Sequence, residues 1–142
     1  MLRLACPADI PAIQRVRRSV RENRLVSGVI TDDEVLAMMQ VHGCGWVVEA
    51  GGEVVAFAFG DARDGNIWAL FVDPEHERRG YGRRLHDAML AWLWSCGLER
   101  LWLSTTPGTR AEAFYRTAGW RDAGPAPRGE IRFEIDRPGL PS

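Results

Sequence analysis

Residues 67–85 read IWALFVDPEHERRGYGRRL, and this stretch decides the fold. Its opening residues are apolar on both alternating sets, Ile67, Ala69 and Phe71 against Trp68, Leu70 and Val72. That pattern predicts a central strand covered on both faces. Asp73-Pro74 ends the strand. After the polar run to Gly82, Leu85, Ala88, Met89, Trp92, Leu93 and Cys96 recur at i, i+3, i+4, i+7, i+8 and i+11, the spacing of an amphipathic helix that Gly97 closes. Between strand and helix lies ERRGYG, Glu77 to Gly82. Two glycines there let the backbone approach an anion, and the helix directs unpaired N–H groups and its positive dipole end at it. Such a loop would hold a pyrophosphate. Taken alone, it reads equally well as an ordinary turn with solvated arginines, and neither GxxxxGK[ST] nor GxGxxG is present.

Upstream, Met1 to Ala5 is a short apolar start suited to an edge strand, and Ile10, Ile13, Val16 and Val20 recur at helical spacing with Pro11 in the first turn. Thr31 and Glu34 make a capping box for a second helix that carries Val35, Met38 and Met39 on one face. Arg21 to Ile30 reads as the loop between them. Trp46 to Ala50, the turn Gly51-Gly52 and Glu53 to Phe59 form a hairpin. Downstream, Leu101 to Ser104 is a strand, and a second box, Thr109 with Glu112, opens a helix bearing Ala111, Phe114, Tyr115 and Ala118. Gly119 ends it. Trp120 and Glu130 to Ile135 supply late strands around a turn at Gly124 to Gly129.

The chain has 142 residues, 46% hydrophobic and 26% charged, with a formal net charge of -1. One domain over 1–142 is expected, burying about two-thirds of its unfolded surface. Near-neutral charge supplies no field for nucleic acid or acidic lipid. All 18 basic residues are arginine, so no lysine can form a Schiff base. Cys6, Cys44 and Cys96 form no CxxC pair, which argues against a disulfide framework or zinc site and for a reducing cytoplasm. No signal-like start and no apolar run of roughly 18 residues suggests a membrane.

The order Val72-Asp73-Pro74, then RRGYGRRL at Arg78 to Leu85, then FYRTAGW at Phe114 to Trp120 resembles the GNAT superfamily of acetyltransferases. Two motifs in the right order with the right elements between them are far more specific than either alone. The resemblance covers Ile67 to Trp120 strongly and the upstream hairpin and helices by element order. It implies an α/β fold whose central mixed, mostly antiparallel twisted sheet has helices on both faces. It also implies a splay between two parallel strands, Ile67 to Val72 and Leu101 to Ser104. In the family the pantetheine arm lies in the splay; carried over, the backbone it meets is that of Leu70, Phe71 and Val72. The pyrophosphate loop maps onto Arg78, Arg79, Gly80, Tyr81, Gly82 and Arg83. The tyrosine that faces the CoA sulfur maps onto Tyr115, which taken singly would be read as a core residue.

The activity implied is acetyl-CoA-dependent transfer of an acetyl group to a primary amine by direct attack in a ternary complex. The alternative is a non-catalytic acyl-CoA-binding module, and a nucleotide-phosphate binder is a third reading. The expected partners are acetyl-CoA and an amine acceptor, with a homodimer left open and no nucleic acid, membrane or metal. Some departures from the family pattern bear on these roles. Glu77 stands where the family loop begins with Gln or Arg, so its side chain must point away from a phosphate. Gly108 replaces an asparagine seen seven residues before the tyrosine, and Leu103 replaces a glutamate that some members use as base. For a base, Glu49 and Asp61 on the hairpin come first, acting through water; His76 is a third candidate at a site that favours exposure. His42 and His86 have no partner visible in the sequence. Acceptor choice should lie around Arg21 to Ile30 and the two early helices, which carry no readable acceptor code.

Overall fold

The computed structural model describes residues 1–20 and 30–139. Of the loop expected at Arg21 to Ile30, everything but Ile30 lies outside the described residues. In chain order the elements are β1 (Leu2–Leu4), α1 (Ile10–Ser19), α2 (Asp32–Ala37), β2 (Gly43–Ala50), β3 (Glu53–Asp61) and β4 (Ile67–Val72), followed by α3 (Tyr81–Ser95), β5 (Arg100–Thr105), α4 (Arg110–Thr117), β6 (Arg121–Ala126) and β7 (Glu130–Asp136). Strands β1-β2-β3-β4 form one sheet and β5-β7-β6 another, every ladder in both being antiparallel. A parallel bridge between Asn66 and Trp102 joins the two. The result is the mixed, mostly antiparallel α/β architecture with helices on both faces that the sequence implies. No helix among the described residues is long and apolar enough to cross a membrane.

Side-chain size on β3 sets the layers. Ala56 and Ala58 face α3, so its Leu85, Met89 and Leu93 sit close to the sheet. Phe57 and Phe59 face the other way and pack under Ile13 and Val16 of α1 and Val35 of α2. Thr31 and Glu34 form the complete capping box, the Thr31 hydroxyl accepting from the Glu34 N–H at 3.1 Å. Past Ala37 the helix widens into a π turn, Met38–His42, that keeps Met38 buried.

β4 departs from strict alternation. Its pairing with β3 steps from Phe59↔Ala69 to Gly60↔Ile67, which leaves Trp68 as the extra residue of a bulge. Ile67 therefore joins Leu70 and Val72 on the α3 side, while Trp68 turns to the α1 side and meets Phe59 edge-on at 5.7 Å. The strand is also not central in a continuous sheet, since it ends the first sheet and, among the described residues, pairs with the second only through the Asn66 bridge beside it. That bridge is tightly built. The Trp102 N–H donates to the Gly65 carbonyl at 3.0 Å, and the Asn66 amide donates to the Trp102 carbonyl at 3.3 Å. Gly65 has φ +81°, and a Cβ there would lie 2.6 Å from the Arg100 carbonyl oxygen, so only glycine fits.

In the second sheet, β6 runs through Gly124 and Pro125, residues expected to form a turn. An edge strand tolerates the proline, and the register shift between Asp122 and Pro125 absorbs the glycine. The turn itself shrinks to Pro127–Gly129.

Arg3 ties the first strand to the first helix. Its guanidinium donates to both carboxylate oxygens of Asp9, at 2.8 and 2.9 Å, and the Cys6 N–H donates to the same carboxylate at 2.8 Å. The Arg3 guanidinium, with help from the Cys6 N–H, holds the Asp9 carboxyl at about 2, below its ordinary 3.8. A depressed carboxyl contributes stability that is whole above 3.8 and is lost as pH falls through about 2. Asp9→Asn should therefore cost about 2 kcal/mol near neutral pH, and the gap between wild type and variant should close as pH drops through that window. Urea unfolding of both proteins across pH checks this; a gap that does not change with pH would contradict it.

Candidate functional site

Beyond the Asn66 bridge β4 and β5 part, and the space between them is a cleft of about 790 Å³. One wall is β4, the loop after it and the first turn of α3; the other is Leu103 to Thr106 with Thr109, Arg110, Phe114 and Tyr115 from the start and face of α4. Val20, Ala111, Arg128 and Glu130 also line it.

The phase of the β3–β4 ladder decides which backbone groups face the cleft. The Asp73 N–H donates to the Val55 carbonyl at 2.8 Å. Bonded pairs alternate along an antiparallel ladder, so Phe71 and Ala69 spend their amides on β3 while Leu70 and Val72 turn N–H and C=O outward. Of the three residues expected to offer backbone here, Leu70 and Val72 do so. Phe71 lines the cleft, with its ring 5.4 Å from that of Phe57.

In the loop, Arg78 has φ 64° and Gly80 φ 81°. Left-handed residues alternating with ordinary ones turn successive N–H groups toward one point, a concavity suited to an anion. The first helical bond of α3 runs from the Arg84 N–H to the Gly80 carbonyl at 3.1 Å, which leaves the N–H groups of Tyr81, Gly82 and Arg83 without intrahelical acceptors. Arg78, Gly80, Tyr81, Gly82 and Arg83 line the cleft; Arg79, also expected there, is exposed and does not. Arg83 is held by Asp87 on its own helix at 3.0 Å. Glu77 lines the cleft as well, its carboxylate accepting from the Arg110 guanidinium.

Tyr115 is buried, and its hydroxyl has no hydrogen-bond partner among the described residues. Burial raises its pKa well above the usual phenol value. α4 begins with Thr109 accepting from the Glu112 N–H at 3.3 Å, but Glu112 reaches past the cap to the Gly108 N–H at 2.7 Å, so the box expected there is only half made.

The expected bases fare differently. Glu49 accepts from Arg3 at 2.9 Å, Asp61 accepts from Arg63 at 2.7 Å, and neither lines the cleft. Arg63 also holds the Asp61 carboxyl below its ordinary value, which weakens it as a base. His76 does line the cleft, half-buried where exposure was expected, and its Nδ1 is buried without a partner among the described residues. Glu130 is a cleft carboxylate that sequence spacing did not point to.

The sequence profile of the Acetyltransferase (GNAT) family matches residues 13–120. The chain belongs to that family. No curated protein sequence matches the chain. Among solved structures it is similar to the PaiA N-acetyltransferase of Thermoplasma acidophilum in complex with coenzyme A, at TM-score 0.83 and 11% identity over 96% of this chain and 98% of that one. It is also similar to the ribosomal-protein-S18-alanine N-acetyltransferase of Escherichia coli, at TM-score 0.75 and 19% identity over 100% and 99% of the two chains. Rv2747 from Mycobacterium tuberculosis in complex with CoA gives TM-score 0.77 and 17% identity over 96% and 99%. At such identities the likeness is one of fold.

In this GNAT chain Tyr115 leans on a partner that the sequence does not reveal. His86 of α3 is buried, accepts from the Trp120 indole N–H through Nε2 at 3.0 Å and bonds Asp87 through Nδ1 at 2.9 Å. Its ring lies 6.5 Å from Tyr115 and 5.7 Å from Phe114. Since Nε2 accepts, the neutral ring carries its proton on Nδ1. Burial lowers the His86 pKa, with Asp87 opposing part of the shift. The unfolded chain therefore takes up a proton first as pH falls, and the stability His86 contributes declines below about 6.5. His86→Gln should lose stability at pH 8 and differ less from wild type at pH 5. Melting temperatures of both proteins across that range test this, and an equal difference at both ends would contradict it.

Proposed function

We propose that the chain is a cytoplasmic, single-domain N-acetyltransferase that moves an acetyl group from acetyl-CoA to a primary amine. The observation that carries the reading is the unpaired edge of β4 facing a cleft that ends in an anion-suited loop. In the solved relatives of the same fold, PaiA and Rv2747 carry coenzyme A. Leu70 and Val72 would pair their outward backbone groups with the amide-bearing pantetheine arm. The N–H groups of Gly80 to Arg83 would take the pyrophosphate, with Arg78 beside it. Acetyl-CoA supplies an activated acyl group that the amine attacks directly, with no acyl-enzyme.

The chain's own groups then have distinct tasks. The outward N–H of Leu70 would donate to the carbonyl oxygen as it gains charge, fixed in place by the strand before reaction begins. An alkylamine near pKa 10.4 must first lose a proton, and His76, alone among the three base candidates in lining the cleft, takes that role. Tyr115, which lines the cleft, would give its proton to the departing thiolate, against the burial that makes its phenol a weaker acid.

Tyr115→Phe keeps the ring against His86, Phe114 and Trp120 and deletes only the hydroxyl. CoA affinity and melting temperature should change little while kcat falls about a hundredfold. The measurement is thiol release from acetyl-CoA across a panel of amines, with CoA titrations of both proteins. Lost stability with turnover intact in the folded fraction would instead make Tyr115 a core residue, and so would an unchanged kcat once chemistry limits the rate.

Gly82 lies opposite Val72 and Phe114, where an added Cβ would meet them at 3.7 and 3.6 Å. A single methyl fits between those walls, but the branches of Gly82→Val would extend over the first-turn amides. That variant should lose the thermal stabilisation that CoA gives the wild type. Equal stabilisation of both proteins would place the diphosphate elsewhere.

A further inference from the structure

Glu77 lies in the loop after β4, and Arg110 is the first residue of α4, which follows β5. The two strands are joined at Asn66 and Trp102, ahead of the cleft, and both side chains lie past the strands' other ends. Their ion pair therefore crosses the cleft at the end away from the bridge, linking one wall to the other over a sequence separation of 33. Both residues line the cleft. The Arg110 side chain is 56% exposed and that of Glu77 29%, and a pair so placed holds only weakly in water.

A carboxylate at the head of a phosphate-binding loop would repel the ligand unless something neutralised it. Arg110 does so from the opposite wall. A guanidinium grips phosphate oxygens with the same paired N–H groups that it offers a carboxylate, and a diphosphate carries more charge. Arg83, a cleft-lining guanidinium in the first turn of α3, is engaged by Asp87 on its own helix.

We propose that Arg110 is a phosphate-binding residue of this cleft and that Glu77 holds it in reserve, occupying the guanidinium until the diphosphate of CoA displaces it. The proposal rests on the reading of the cleft as a CoA site. Glu77 is then a built-in competitor that lowers CoA affinity, and it acts through Arg110. The pantetheine half of the ligand, which carries no phosphate, is indifferent to both residues.

The test is titration of the full chain with CoA and with pantetheine, for wild type, Glu77→Gln, Arg110→Gln and the double variant, each checked for an unchanged melting temperature. CoA should bind Glu77→Gln roughly fivefold more tightly and Arg110→Gln roughly tenfold more weakly, with pantetheine unaffected by either. The gain from Glu77→Gln should be smaller when Arg110 is already replaced, leaving only the relief of direct repulsion. A gain of undiminished size in the double variant overturns the proposal, because Glu77 would then act by simple repulsion alone. So does CoA binding to Arg110→Gln at wild-type strength. A wild type that binds no CoA at all refutes the CoA reading itself, whereas failure of the variants alone refutes only the role of this pair.

Discussion

Everything at the candidate site depends on β4 and β5 being fastened by backbone pairing at one bridge and, among the described residues, nowhere else. The contact is made of backbone and one amide side chain: Trp102 to Gly65, Asn66 to Trp102. Had the strands paired along their length, the two sheets would be one and the edges of Leu70 and Val72 would be spent on hydrogen bonds to β5. The bulge at Trp68 follows the contact at once. A bulge bends its strand and increases local twist, so β4 leaves β5 just past the point where the two are fastened. Glycine at position 65 is what lets the chains come that close, because any side chain there would meet the Arg100 carbonyl.

The chemistry of the cleft follows from that divergence. Backbone polar groups left unpaired at a sheet edge need partners, and a ligand with amides along its length supplies them. The same edge leads directly into the loop before α3, so the amide-lined part of the cleft and its anion-suited end form one track. At the α4 side, Tyr115 is fixed by rings rather than by hydrogen bonds: Trp120 lies at 5.4 Å, Phe114 at 5.2 Å and His86 at 6.5 Å. Its hydroxyl therefore remains uncommitted, which a proton donor requires.

The parts of this arrangement that were legible in sequence are those encoded over short spans. The loop Glu77 to Gly82 and the helix after it announce themselves because glycine placement and helical spacing are local. β4 was legible as a strand but not in its facing, since a segment apolar on both sets looks the same with or without a bulge. Its place at the edge of a sheet was hidden for the same reason: a wall of a cleft and the interior of a sheet are both apolar. Asn66 looks like part of an ordinary Asp64-Gly65-Asn66 turn, and nothing local says that it fastens a strand 36 residues away. The pairing of Asp61 with Arg63 two residues on is local and open to reading, whereas Glu49 looks like a base because its partner Arg3 lies 46 residues away. His86 found its acceptor role the same way, from Trp120 at a separation of 34 residues.

The central claim is that the outward edge of β4 is where CoA binds. Amide hydrogen exchange on the full chain, resolved by residue and measured with and without CoA, reads it directly. The account predicts that the N–H groups of Leu70 and Val72 become protected when CoA is added, while those of Ala69 and Phe71, already bonded to β3, do not change. CoA binding that leaves Leu70 and Val72 exchanging as fast as before would contradict it.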